Sequence, residues 1–248
     1  MTTHPSSSPT DRTRSVGTTV TGPADPTPQA VAVSRAVEGR ELLTHPFYRR
    51  WEAGTLDPAE LSEYAVEYRA FEAALPTVLT AVAGRLREAG AAGPAALVER
   101  NLADELGSPE SHLALFDRFA SAVGAIPAPP GAAATALVTT YLDLVAEGPA
   151  AALAGLAAYE SQSAAIAASK ADGLRRWYGT DPAGTAFWDV HAAMDDDHAT
   201  WATDALAALD ASPAEVSAAA GRAAEAWWAL LDERQDAAGD SAQLCTHH

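Results

Sequence analysis

An all-α fold, a bundle of seven or eight helices, is predicted for this chain by three observations. From Gln29 onward nearly every long segment repeats its apolar residues with helical spacing, which puts them on one face of a helix. Alanine is abundant throughout and favours helix over strand. Asp57-Pro58, Ser108-Pro109 and Ser212-Pro213 each set a capping side chain before a proline, a pairing that suits the first turn of a helix.

The elements follow in order. Residues 1–28 are rich in Ser, Thr and Pro with scarcely any large apolar side chain, so they read as a disordered arm. Residues 29–237 form one helical domain, and residues 238–248 a flexible tail. A first helix covers Ala30 to Leu43, followed by a His45-Pro46-Phe47-Tyr48 turn and a short helix that ends at Gly54. Asp57-Pro58-Ala59-Glu60 has the form of a capping box and starts a long helix, which Pro76 is expected to kink. Further helices are expected over Pro94–Leu106, Pro109–Val123, Ala132–Ala146, Pro149–Tyr178, Thr185–Ala208 and Pro213–Asp236. No solenoid period is present.

Composition limits the partners. A formal charge of -17 opposes binding to phosphate backbones and anionic lipid, which leaves small molecules as the expected ligands. Neither a membrane span nor a signal sequence is legible, and the single cysteine, Cys245, cannot form a disulfide within the chain, so a reducing, cytoplasmic setting is expected. A homodimer is compatible with all of this. Trp227, Trp228, Leu230 and Leu231 could form an interface, but closing the core is the favoured reading; Cys245-Thr246-His247-His248 reads as an accidental metal site.

Chemistry concentrates in His191-Ala-Ala-Met-Asp195-Asp-Asp-His198. On one continuous helix, positions i, i+4 and i+7 fall within about 60° of one another, so His191, Asp195 and His198 would converge. Taken alone, the triad fits a metal site and a solvated polar stripe equally well. A second segment, Asn101 to His112, ends one helix with Glu105 and starts the next with His112, with Gly107 and Ser108-Pro109 permitting the bend. Leu102 and Leu106 place Glu105 beside a buried stripe, although by itself a surface glutamate and a solvated histidine is the slightly better reading. The third segment is sharper: Glu160 is the sole acidic residue between Glu147 and Asp172, on a helix of small and apolar residues. A buried carboxylate needs a cation. Lys170 lies about two and three-quarter turns further along and off to one side, so a metal ion is the better partner.

Glu105, His112, Glu160, His191, Asp195 and His198 together make three carboxylates and three imidazoles, enough for two divalent ions. Mixed oxygen and nitrogen ligation suits Fe or Mn. The paired Glu-x-x-His motifs of ferritin-like bundles are missing, which argues against that architecture.

These residues resemble the haem-oxygenase-like di-iron oxidases, whose fold is shared with thiaminase-II and pyrroloquinoline-quinone synthase. The matching pieces are His45-Pro-Phe-Tyr48-x-x-Trp51-x-x-Gly54 with Leu56, Tyr64-Ala-x-x-Tyr68, Asn101 to His112, Tyr159-Glu160-Ser-Gln162 through Lys170 to Gly173-Leu174, and His191-x-x-x-Asp195-x-x-His198. The first two occur across the superfamily; the six-ligand set is far more specific. The resemblance implies a haem-oxygenase-like bundle holding two Fe(II) ions, with Mn admitted, O2 as co-substrate and an external electron donor. It also implies a small, amino-acid-like substrate that is desaturated, cleaved at a C–C bond or N-oxygenated in a biosynthetic pathway.

The closest pattern is that of the chlamydial-type 4-aminobenzoate synthases, thought to consume their own tyrosine and lysine; by position Tyr48 and Lys170 match. Because the HPFY turn is widespread in the superfamily, a catalyst acting on an external amino acid is the favoured expectation and self-sacrifice the alternative. A thiaminase-type hydrolase would need a cysteine in the bundle, and a quinone-synthase-like cofactorless oxidase fits a chain of charge -17 poorly. A non-catalytic member of the fold remains the last alternative.

Overall fold

The computed structural model describes residues 25–107, 109–193 and 196–245; for 196–200 and 238–245 it describes the backbone alone. Among the described residues there are ten α-helices, one 3-10 turn and no strand. The all-α class stands, and the expected seven or eight helices become ten.

Local chemistry explains most of the boundaries. Helix α1 spans Pro28–Val37, with Thr27 accepting a hydrogen bond from the Ala30 amide. The helix thus takes in Pro28, the last residue of the expected arm. The helix expected to reach Leu43 stops early, because the chain turns through Gly39 at φ 78° before the 3-10 turn Leu42–Thr44. Helix α2, Pro46–Ala53, is capped by the His45 ring, whose Nδ1 accepts from the Phe47 amide, and ends at left-handed Gly54. The capping box of Asp57 and Glu60 starts α3, Pro58–Glu88, which continues through Pro76.

Helix α4 covers Ala92–Leu106 and α5 His112–Ala122. The cap of α5 is Ser111 rather than the expected Ser108: the chain doubles back at Gly107, φ 55°, so tightly that a Cβ there would meet the Glu110 carbonyl. Helices α6, Ala132–Glu147, and α7, Pro149–Trp177, follow. The single helix expected over Thr185–Ala208 is two: α8, Pro182–Ala192, closed by Ala193, and α9, Asp196–Ala208. Asp181 caps α8 through the Gly184 amide, another cap-then-proline signal. Helix α10, Pro213–Cys245, continues beyond Asp236.

Helix α7 is the central element, packed against α1, α2, α3, α6, α8, α9 and α10. Every residue from Ala152 to Tyr159 is buried, the mark of an interior helix enclosed on all sides. Gly155 permits the close approach of α6, since a Cβ there would lie 2.5 Å from Leu144 Cδ1. Around α7 the core is aromatic: Trp51, Tyr64, Phe116, Phe119, Tyr141, Phe187, Trp188 and Trp227 are fully buried. Burying one such side chain contributes roughly 1.5–3 kcal/mol. Leu230 and Leu231 are also buried and Trp228 packs against the core, so this stretch closes the bundle as favoured. Among the described residues no helix is long and apolar enough to cross a membrane.

Candidate metal centre

Glu105 ends α4 and His112 opens α5, and the tight turn at Gly107 brings them face to face. Both are 5% exposed, although neighbouring Leu106 is exposed. His112 Nδ1 lies 3.1 Å from Glu105 Oε2, yet the angle makes no hydrogen bond, and this buried nitrogen has no hydrogen-bond partner. His191, on α8, supplies a third group. One ligand atom from each of Glu105, His112 and His191 lies within 4.8 Å of the others, and the two imidazole rings sit 4.5 Å apart.

His191 is oriented by its own helix. Its Nδ1 stands 2.8 Å from the Phe187 carbonyl oxygen, which can only accept, so Nδ1 carries the proton and Nε2 keeps a free lone pair. Burial, reinforced by the neighbouring His112, pushes the His191 imidazole down to about 4. It is therefore neutral at ordinary pH, the form that ligates metal.

Glu160 projects from α7, its carboxylate accepting a weak 3.4 Å bond from Ser163 Oγ. Burial and the charge of Glu105 push its carboxyl up to about 8, which places the two carboxylates in one electrostatic neighbourhood. Lys170 is not its partner, since its amine is bonded elsewhere. Asp195 lies outside the described residues, and so does the side chain of His198 on α9. The break after Ala192 means that the expected convergence cannot come from one straight helix.

One acidic residue escaped the sequence reading. Glu72, on α3, is 3% exposed, and its carboxyl is raised well above the usual range by burial and by Glu105 and Glu160. A signal was present, because Glu72 continues the buried Tyr64–Tyr68 stripe at the same four-residue step.

Beside the carboxylates lies an aromatic cage around Lys170, which is 1% exposed. Its Nζ sits 4.2 Å from the ring centre of Trp188, 4.5 Å from that of Tyr48, 4.8 Å from Tyr64 and 4.9 Å from Tyr68. It donates to Tyr64 Oη, which also shares a 2.7 Å bond with Tyr48 Oη. Burial drives the amine well below the ordinary lysine range, toward its neutral form, and pushes the Tyr48 phenol upward. Tyr68 Oη and Tyr159 Oη lie 2.5 Å apart, joining the cage to the helix turn that carries Glu160.

A metal ion fits the cluster. The buried, partnerless Nδ1 of His112 and the free lone pair on His191 Nε2 stand beside Glu105, a hard oxygen and nitrogen donor set suited to iron or manganese. Such a cluster inside a helical bundle defines the class as a candidate metal-dependent enzyme. The profile of the iron-containing redox enzymes matches residues 62–230, and the chain belongs to that family of oxidoreductases.

Relatives sharpen the comparison. A 4-aminobenzoate synthase of Nitrosomonas europaea is 38% identical over 216 residues, covering 81% of this chain and 88% of the relative. A 4-aminobenzoate synthase of Chlamydia trachomatis is 32% identical, covering 66% and 72%. Two solved structures share the fold. A CADD-like protein of unknown function from Nostoc punctiforme is 18% identical with a TM-score of 0.66, covering 82% of this chain and 97% of that one. A TenA homologue from P. horikoshii is 14% identical with a TM-score of 0.64, covering 83% and 97%.

Proposed function

We propose that this chain is a self-sacrificing 4-aminobenzoate synthase in which Tyr48 supplies the ring and Lys170 the amine. The observation that carries the reading is the sealed contact between the two, with Lys170 Nζ 4.5 Å from the Tyr48 ring centre. The relatives named 4-aminobenzoate synthase support it. It reverses the preference for an external amino acid that the widespread HPFY turn suggested.

The chemistry required matches the atoms at hand. A tyrosine ring carries Cβ and, para to it, a hydroxyl; 4-aminobenzoate carries a carboxyl carbon and, para to it, an amine. Conversion needs the Cα–Cβ bond broken, Cβ oxidised to carboxyl, and the phenolic oxygen exchanged for nitrogen. Tyr64 Oη bonds both Tyr48 Oη and Lys170 Nζ, so the amine is held at the hydroxyl end of the ring, where exchange must occur. A neutral amine keeps its lone pair for bond formation, and burial favours that form. Apolar walls from Trp51, Trp188 and Tyr68 exclude water from the reacting pair.

In this reading Glu105, His112, Glu160, His191, Asp195 and His198 hold two Fe(II) ions, or Mn in their place, and an external donor supplies electrons. When bound, the metal supplies O2-dependent oxidation. His191, held by the Phe187 carbonyl, and Glu105 and His112, held by the Gly107 turn, keep the donor atoms in place.

The test is mass spectrometry of the whole protein after Fe(II), reductant and O2, with no other substrate. Loss of mass at Tyr48, release of 4-aminobenzoate and arrest after about one turnover are expected. Repeated turnover on an added amino acid with the protein mass intact would restore the external-substrate oxidase in its place.

A further inference from the structure

Glu72 belongs to none of the motifs that carry the family resemblance, yet it is among the most deeply buried charged side chains described. It sits on α3 one turn beyond Tyr68, whose hydroxyl meets Tyr159, the residue before Glu160. Its Oε1 is sealed from solvent and has no hydrogen-bond partner among the described residues. The charges that act on it are those of Glu105 and then Glu160. Among the described residues no arginine or lysine acts on it.

Such an arrangement is costly in a helical bundle. A buried carboxyl oxygen without a partner has lost its hydration with no hydrogen bond in return, and the loss is larger if it is charged. Here three carboxylates share one interior, so mutual repulsion adds to that cost. Protonation would remove the charge but leave Oε1 without a donor. A cation satisfies both requirements. The nearby His112 Nδ1, equally buried and equally partnerless, points to the same missing partner.

We propose that Glu72 is a further ligand of the metal centre, a carboxylate from α3 that binds the ions alongside Glu105 and Glu160. The inference rests on reading the cluster as a metal site. Its consequence for the chemistry is local: α3 also carries Tyr64 and Tyr68, so a ligand at Glu72 ties the helix of the lysine cage directly to the metal.

The test is anaerobic Fe(II) binding by competition with a chromophoric chelator, with iron counted per chain and the thermal midpoint followed with and without metal. Glu72→Gln keeps the size and removes the charge. It is expected to bind Fe(II) about 10- to 100-fold more weakly and to gain less thermal stability from metal, while its metal-free midpoint is equal to wild type or higher. Glu72→Asp, which retains charge but withdraws it by one methylene, is read in the same way if the amide variant does not fold. Equal affinity, stoichiometry and metal-induced stabilisation in wild type and variant would overturn the proposal. A wild-type protein that takes up no Fe(II) overturns the metal centre itself. Normal metal binding without 4-aminobenzoate release overturns only the proposed function.

Discussion

Lys170 and Tyr48 meet in the interior, the amine 4.5 Å from the phenol ring centre, with one hydroxyl, that of Tyr64, bonded to both. The contact joins the C-terminal third of α7 to the first turn of α2. A lysine with no carboxylate partner among the described residues, enclosed by four tyrosine and tryptophan rings within 5 Å, is an arrangement that serves reactivity better than stability.

Removing the bridging hydroxyl tests positioning. Tyr64→Phe keeps the ring in its stack but leaves the amine and the Tyr48 phenol without their shared partner. The expected result is roughly a tenfold or greater fall in 4-aminobenzoate yield at unchanged iron content, as befits loss of orientation. Unchanged yield would show that the hydroxyl only packs.

Tyr48→Phe and Lys170→Arg separate reagent from scaffold. Each should abolish product, because the first removes the phenolic oxygen and the second the primary amine, while iron per chain stays at the wild-type value. Product from either variant assigns that residue to packing.

Burial of Lys170 also predicts a pH dependence of stability. Its native pKa lies well below the ordinary value, so between that pKa and about 10.4 the unfolded chain binds a proton that the folded chain does not. Stability from this group therefore rises with pH across that window. Lys170→Met, which fills similar space without a charge to remove, should be more stable than wild type near neutrality, and the difference should shrink as pH approaches 10. The buried tyrosines titrate alike in both proteins, so the difference between denaturant midpoints isolates the lysine. A difference that grows with pH contradicts the assignment.

Metal affinity should depend on both described imidazoles. His112→Ala and His191→Ala are expected to weaken Fe(II) binding about 10- to 100-fold or more, measured by chelator competition. Full iron loading in both variants removes these residues from the centre.

The turn that joins Glu105 to His112 should be intolerant. Gly107 adopts φ 55°, and a Cβ would meet the Glu110 carbonyl, so Gly107→Ala is expected to cost about 1–3 kcal/mol or more and to weaken metal binding together with stability. Calorimetry with and without Fe(II) reads both effects. An alanine variant with wild-type stability would mean that the turn relaxes freely.

Much was legible before any fold was in view. Helical spacing and the cap-then-proline pairs at Asp57 and Ser212 mark elements that local chemistry alone fixes, and the same logic at Asp181 was available but unread. Glu160 stood out as a carboxylate on an apolar helix, while the segments of Glu105, His112 and His191 left burial and exposure open; the structure brings Glu105, His112 and His191 together. The break after Ala192 was not legible, because Ala192-Ala193-Met194 carries no glycine or proline to announce it.

The sequence by itself determined the helical class, because periodicity and caps are local properties, and it named candidate donor side chains; Tyr48 and Lys170 came into view only through the family resemblance. Only the tertiary structure decided that the amine of Lys170 faces Tyr48 and Tyr64 rather than Glu160, and that Glu72 turns a partnerless oxygen toward the interior. The physical reason is that an apolar stripe records which face of a helix is buried but not which other helix covers it. That pairing is set by how the helices pack around α7, where Gly155 admits Leu144 of α6 and Gly173 admits Trp51 of α2 closer than a Cβ would allow.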